Sequence, residues 1–302
     1  RSNILPIAVL GLLGFGIFTV LKSPSLTAVF KAAATDGFAG SLAGAAQVIA
    51  FMWLRTTMNY QYKHGGSFYS TLRALLREGG ISRLYQGLQW AIIQNPMSRF
   101  GDTAANALSK AVLGSAGVNL AFVTLAGSMG GSAWRAIITP IDTCKTVLQT
   151  DGSKGMRILK DKVREGGLGV LWYGWEGNIV ANVVGSYPWF ITFNLLQSIV
   201  PPAVGVWPNL IRTAFIGACC SGVSDLISNS IRVIKTKKQT SDDPNVGYLE
   251  AARIAIREGG FWRGLVLRGL ETRLLTNVLQ GIFFTVLWRG LAPILAGKGV
   301  AK

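Results

Sequence analysis

Asp142 and Lys145 stand three residues apart, Arg135 lies seven before Asp142, and Asp225 lies seven before Arg232. On a helix the first spacing puts acid and base on one face. The second returns to nearly the same face two turns on, so Arg135 should look where Asp142 looks, and Asp225 where Arg232 looks. Arg55, Lys145 and Lys235 recur at an interval of 90, as do Ala45, Arg135 and Asp225. Side chains of this kind latch helices together and attract charged solutes, but they supply no nucleophile. His64 is the single histidine, so no second one completes a zinc or Ser/His site. Cys144, Cys219 and Cys220 cannot form a disulfide framework. With no metal cluster and no phosphate loop in view, the chemistry expected is ionic recognition, with no catalytic residues, no metal and no enzyme activity.

The elements that position these charges follow from composition. Of 302 residues, 50% are apolar and only 15% charged, against about 25% charged in soluble domains, so a membrane protein is expected. The net charge of +16 on so apolar a chain points to anionic lipid or anionic solute rather than nucleic acid. A bilayer core needs roughly 20 mostly apolar residues per helix, and such stretches occur near 35–54, 88–112, 118–144, 177–200, 209–234 and 270–296. Six spans return the chain to its starting side. The connections after the first, third and fifth hold more than half of the lysines and arginines, which places them on the matrix or cytoplasmic side. Ahead of the six, Ile4 to Leu21 carries no charge. Because the chain begins at Arg1, this stretch is expected to follow a processed mature end, either as an extra span or as a segment lying in the interface.

The most specific signal is internal repetition. Arg-Glu-Gly-Gly occurs at Arg77 to Gly80, Arg164 to Gly167 and Arg257 to Gly260. Each copy follows a basic amphipathic stretch, and each is followed by a glycine that opens the next apolar span: Gly87, Gly174 and Gly269. Gly37, Gly127 and Gly217 share the 90-residue interval. The expected fold is therefore all-α, three tandem two-helix units: an N-terminal hydrophobic segment at 1–30, then repeats at 31–116, 117–207 and 208–302.

These residues resemble the mitochondrial carrier family, whose repeats carry Pro-x-[Asp/Glu]-x-x-[Lys/Arg] on each odd helix, then a matrix helix, an acid-Gly pair and an aromatic-basic-Gly string. The second repeat matches with Pro140, Asp142, Lys145, Glu165-Gly166 and Trp172-Tyr173-Gly174. The resemblance implies six tilted helices in a pseudo-threefold barrel with short matrix helices, in the inner mitochondrial membrane, moving metabolites by alternating access. The proline, which cannot donate to the helix ladder, kinks the odd helix toward the axis. Acid and base on neighbouring repeats then hold the matrix side shut. Gly40 and Gly44 could mark a dimer face, or simply close packing within the barrel.

The chain departs from the pattern. In the 90-residue register the acid positions read Met52, Asp142 and Arg232, the proline positions Ala50, Pro140 and Ser230, and the base positions Arg55, Lys145 and Lys235. The family's pairing then implies that Asp142 meets Lys235, that Met52 leaves Lys145 without an acid, and that Arg232 faces Arg55, a repulsive contact. The opposite end keeps Phe193 without its acid and base, has Ala107 where an acid is usual, and shows no acid near Trp288 and Arg289. One layer deeper, Arg135 and Asp225 occupy equivalent positions on adjacent odd helices and are expected to pair, since charges at membrane depth are costly unless paired or wet. Family substrate positions carry over to Gln94 and Asn95, Ala181 and Asn182, Thr276 and Asn277, all neutral. Arg99 and Arg273 add charge if they turn inward. Gly80, Gly87, Gly167, Gly174, Gly260 and Gly269 open helices whose N-termini favour phosphate, and the resemblance makes cardiolipin the expected ligand there. Two functions follow: a carrier of a small anionic or neutral metabolite, or a transport-inactive barrel retained as a scaffold within a larger inner-membrane complex.

Overall fold

The long helices are built where apolar runs predict them, and their breaks mark where backbone chemistry changes. The structure, a computed structural model, describes residues 24–114, 117–241, 243 and 246–295. The Ile4 to Leu21 stretch lies outside them. The helices are α1 Pro24–His64, α2 Phe68–Leu84, α3 Leu88–Ser109, α4 Leu120–Ile137, α5 Thr139–Gly166, α6 Trp175–Ile199, α7 Val206–Thr240, α8 Tyr248–Gly259 and α9 Leu270–Leu295. Short π-helical turns at Lys110–Gly114 and Gly260–Val266 and a 3-10 turn at Leu168–Trp172 join them. Among the described residues no strand occurs.

Pro140 acts as expected. The apolar run near 118–144 is divided at Ile138 into α4 and α5, with the proline in the first turn of α5, where its missing N–H costs least. In α1, Ala50 stands at the proline position, yet the helix still bends at Phe51 (φ −116°, ψ 15°). In α7, with Ser230 there, the helix runs from Val206 to Thr240 as one element. Further along, α5 turns sharply at Gly152 (φ +67°), which separates its first half, with Asp142 and Lys145, from its basic second half.

Packing follows chain order and closes on itself: α1 against α3, α3 against α4, α4 against α6, α6 against α7, α7 against α9, and α9 back against α1. The first half of α5 continues the line of α4 and packs among α1, α3 and α7. The distribution of polarity is inverted relative to a soluble globule. Gln47, Thr56, Thr57, Gln61, Gln149, Ser228 and Asn229 are fully or almost fully buried. Phe122, Met129, Tyr187, Ile191, Leu195, Ile211 and Phe215 are each at least half exposed. Large contiguous apolar surface of this kind marks contact with another apolar phase. Two helical stretches, Leu168–Ile199 and Trp207–Thr240, are long and apolar enough by length and composition to cross a membrane.

Candidate functional site

Where the polar faces of the ring converge they enclose a cavity of about 250 Å³. Its lining includes six cations, Arg55, Arg135, Lys145, Arg232, Lys235 and Arg273, against one carboxylate, Asp142. Asp142 is 7% exposed and serves two bases: Oδ1 accepts from Lys145 and Oδ2 from Lys235, each at 2.6 Å. The expectation that Lys145 lacks an acid is therefore corrected. Its place three residues after Asp142 lets one carboxylate divide its two oxygens between its own helix and α7, and Lys145 also donates to Gln94 at 3.3 Å. Met52 packs instead in an apolar cluster with Val48 and Ala91.

Arg55 and Arg232, expected to face one another, take separate neutral partners. Arg55 donates to the Gln280 side chain at 3.2 Å, and Arg232 to Ser228 Oγ, one turn back on its own helix, at 3.4 Å. Neither forms a salt bridge within 4.0 Å to any described carboxylate.

The pairing of Arg135 with Asp225 is also corrected. Arg135 binds Asp102 of α3 and donates to Asn182 at 2.8 Å. Asp225 is 4% exposed. It accepts from Arg273 at 2.6 Å and from Asn277. The cause is helix proximity. A Cβ on Gly131 would lie 2.7 Å from Asp102 Oδ1, and one on Gly130 3.0 Å from Ala105, so the glycines of α4 let α3 approach until Asp102 reaches Arg135. On the other side α9 supplies Arg273 before any neighbouring odd helix can. Each charge is satisfied by the even helix packed beside it.

The carried-over substrate positions divide. Gln94, Thr276 and Asn277 line the cavity. Asn95 turns away to donate to the Gly44 carbonyl at 3.0 Å, which gives Gly44 a packing role within the chain. Ala181 is buried, and Asn182 lines a second cavity with Arg135. Arg99 is exposed and Arg273 lines the cavity. Asn59, Gln149 and Gln239 escaped the sequence reading although they share the 90-residue interval. Asn59 donates to Gln149 at 2.5 Å and Gln239 to Thr143 at 2.6 Å, bracing the ends of the odd helices just past the gate. Asp102 had no periodic partner to betray it.

The six glycines fall into two sets. Gly87, Gly174 and Gly269, at φ +86°, +87° and +66°, approach the helices that carry Lys145, Lys235 and Tyr62: added Cβ atoms would lie 3.0 Å from the Lys145 carbonyl, 3.3 Å from Lys235 Cγ and 2.9 Å from the Tyr62 ring. Gly80, Gly167 and Gly260 have positive φ with open space around them, and the expectation that they open helices is corrected: Gly80 lies at a kink inside α2, and Gly167 and Gly260 cap the C-terminal ends of α5 and α8, where a positive φ breaks the helix. Further along, Arg83 donates to the carbonyls of Leu148, Gln149 and Thr150, and Arg268 to those of Gln61 and Lys63, buried cations capping helix carbonyls near the ends of helical stretches. Glu258 binds Lys237 and Arg268, both at 2.7 Å. Burial pushes its carboxyl up, but those hydrogen bonds outweigh it and hold the group below its ordinary value of 4.5.

A family profile described as Mitochondrial carrier protein matches residues 118–202, the stretch that contains Asp142, Lys145 and Gly174. Among curated proteins, the chain is 25% identical over 188 residues to the human (Homo sapiens) mitochondrial glutathione transporter, covering 59% of this chain and 56% of that protein. It is 28% identical over 172 residues to mitochondrial thiamine pyrophosphate carrier 1 of Vanderwaltozyma polyspora, covering 53% and 57% respectively. It is 24% identical over 248 residues to a mitochondrial arginine transporter of Arabidopsis thaliana, covering 75% and 81%. The chain thus matches little more than half the length of the first two relatives.

Proposed function

We propose that this chain, similar to mitochondrial carriers, moves a small anionic metabolite across the inner mitochondrial membrane by alternating access through the central cavity. One observation carries the choice of an anion: with Arg135 paired to Asp102 and Arg273 to Asp225, four cations of the cavity wall still face one carboxylate, and Arg55 and Arg232 form no salt bridge to any described carboxylate. Buried charges of one sign focus the field into a low-dielectric cleft and raise the local concentration of the opposite ion. The named cargoes of the relatives are glutathione, thiamine pyrophosphate and arginine. They differ from one another, so the cavity and not kinship supports the anion.

In this reading α1, α3, α4 with the first half of α5, α6, α7 and α9 are six spans of three repeats, at 31–116, 117–207 and 208–302, around one axis. Asp142 with Lys145 and Lys235 closes the matrix side. An anion arriving at Arg232 neutralises the like charges that oppose closure, so substrate would complete a latch that has only one acid of its own. Cardiolipin would sit against the open glycines Gly80, Gly167 and Gly260, each three residues after an arginine (Arg77, Arg164 and Arg257), where positive charge and uncovered backbone meet. A second reading, a transport-inactive scaffold of a larger inner-membrane complex, is favoured by the single gate acid and by the neutral partners of Arg55 and Arg232.

Exchange in proteoliposomes separates the two. Labelled phosphate, dicarboxylates and neutral solutes are offered against an internal load, with Arg232→Gln as the matched variant. Uptake of an anion that falls at least tenfold in the variant supports transport. A flat response for every solute, with protein correctly inserted, sinks it in favour of the scaffold.

A further inference from the structure

Between α3, α4 and α6 lies a second cavity of about 230 Å³ that shares Arg135 with the central one. Its walls include Asp102, Asn106, Ser128, Ser132 and Asn182. Arg135 and Asp102 neutralise each other, so the compartment carries no net charge, its hydroxyls and amides set beside the Phe190 ring. Ser132 is 2% exposed, and its Oγ has no hydrogen-bond partner among the described residues. A buried hydroxyl left in that state destabilises the protein that holds it, which makes Ser132 a group waiting for a ligand or a solvent molecule. The neutral amides and hydroxyls around it offer donors and acceptors together, the combination that recognises hydroxyl groups rather than hydrocarbon.

We propose that the substrate is an anion tethered to a neutral, polyhydroxylated body: the anionic group meets Arg232 and Arg273 in the central cavity, and the sugar-like body fills the compartment beside Ser132. This rests on the anion reading above. Arg135 lines both cavities, so a molecule occupying the two would pass beside its guanidinium, and their joint volume lies within the ~300–1,000 Å³ usual for ligand pockets. Both side chains that hold Arg135, Asp102 and Asn182, also face the body, so its hydroxyls would report to the same guanidinium that borders the anion.

The test uses the full chain in lipid nanodiscs and three probes that share one anionic group: inorganic phosphate, n-butyl phosphate and ribose 5-phosphate. Ribose 5-phosphate should bind at least tenfold more tightly than phosphate, and n-butyl phosphate should not. Ser132→Ala should keep its ligand-free thermal midpoint or raise it, keep phosphate affinity, and lose threefold or more of the preference for ribose 5-phosphate. Equal gains for n-butyl and ribose 5-phosphate overturn the proposal, as does a preference untouched by Ser132→Ala, which would mean that water alone fills the compartment. Ribose 5-phosphate bound with no measurable phosphate binding keeps the compartment and refutes the anion reading; binding of neither probe refutes both.

Discussion

Replacing Asp142 by Asn tests the gate most directly. The substitution keeps the shape and one acceptor oxygen but removes the charge that holds Lys145 and Lys235, each 2.6 Å away and each under 15% exposed in its side chain. Breaking a buried ion pair by deleting one partner costs about 3–5 kcal/mol, because the remaining charge stays desolvated, and here two ammonium groups are stranded together. At roughly 2–4 °C per kcal/mol for chains of 150–250 residues, the thermal midpoint should fall on the order of 10 °C. Because membrane proteins often unfold irreversibly, both proteins are scanned at one rate and compared as apparent midpoints. Adding Lys235→Gln to Asp142→Asn should recover part of the loss, with a coupling of about 0.5–3 kcal/mol, as expected for residues in contact. A variant within about 1 °C of the parent, or a coupling below ~0.5 kcal/mol, would show that Asp142 does not hold the two helices together.

Arg232→Gln should leave stability unchanged or raise it by about 1 kcal/mol, since it removes a buried cation that lacks a carboxylate, while anion binding weakens at least tenfold; a midpoint several degrees lower would count against the assignment. Gly174→Ala should destabilise by about 1–2 kcal/mol from left-handed backbone strain plus the contact with Lys235, and Gly167→Ala, at φ +74° and ψ −179° in a region almost reserved for glycine, should cost at least as much despite the open space at its Cβ; an unchanged thermal midpoint for either variant would refute the strain assigned to it. The Glu258 carboxyl sits below its ordinary value of 4.5, so its contribution is fully present above that pH and is lost as pH falls through the folded-state value. The gap in thermal midpoint between the parent and Glu258→Gln should therefore be open at pH 7 and close on acidification. A gap that does not change with pH would remove the clamp.

Much of the fold was legible because repetition and hydrophobic length act along the chain. The interval of 90 located Arg55, Lys145 and Lys235 around one cavity, and Pro140 marked the break at Ile138. The spacing of three put Asp142 and Lys145 on one face, although the sequence reading spent that carboxylate on Lys235 alone. Asn59, Gln149 and Gln239 carry the same periodic signal, but neutral amides at that interval do not by themselves distinguish a brace from a solvated surface. Ala50 shows the limit of motif reading: α1 bends at Phe51 without a proline.

What sequence alone determined was class and register: an apolar, basic, all-α chain with a recurring interval of 90 and ionic groups turned inward, because periodicity and the cost of charge in hydrocarbon depend only on residue type and spacing. Only the tertiary structure decided who pairs with whom. Arg135 chose Asp102, and Asp225 chose Arg273, because an ion pair forms with the nearest partner in space. That nearness was set by the glycine contact between α3 and α4 and by the packing of α9 on α7, distances between segments that no single stretch of chain encodes.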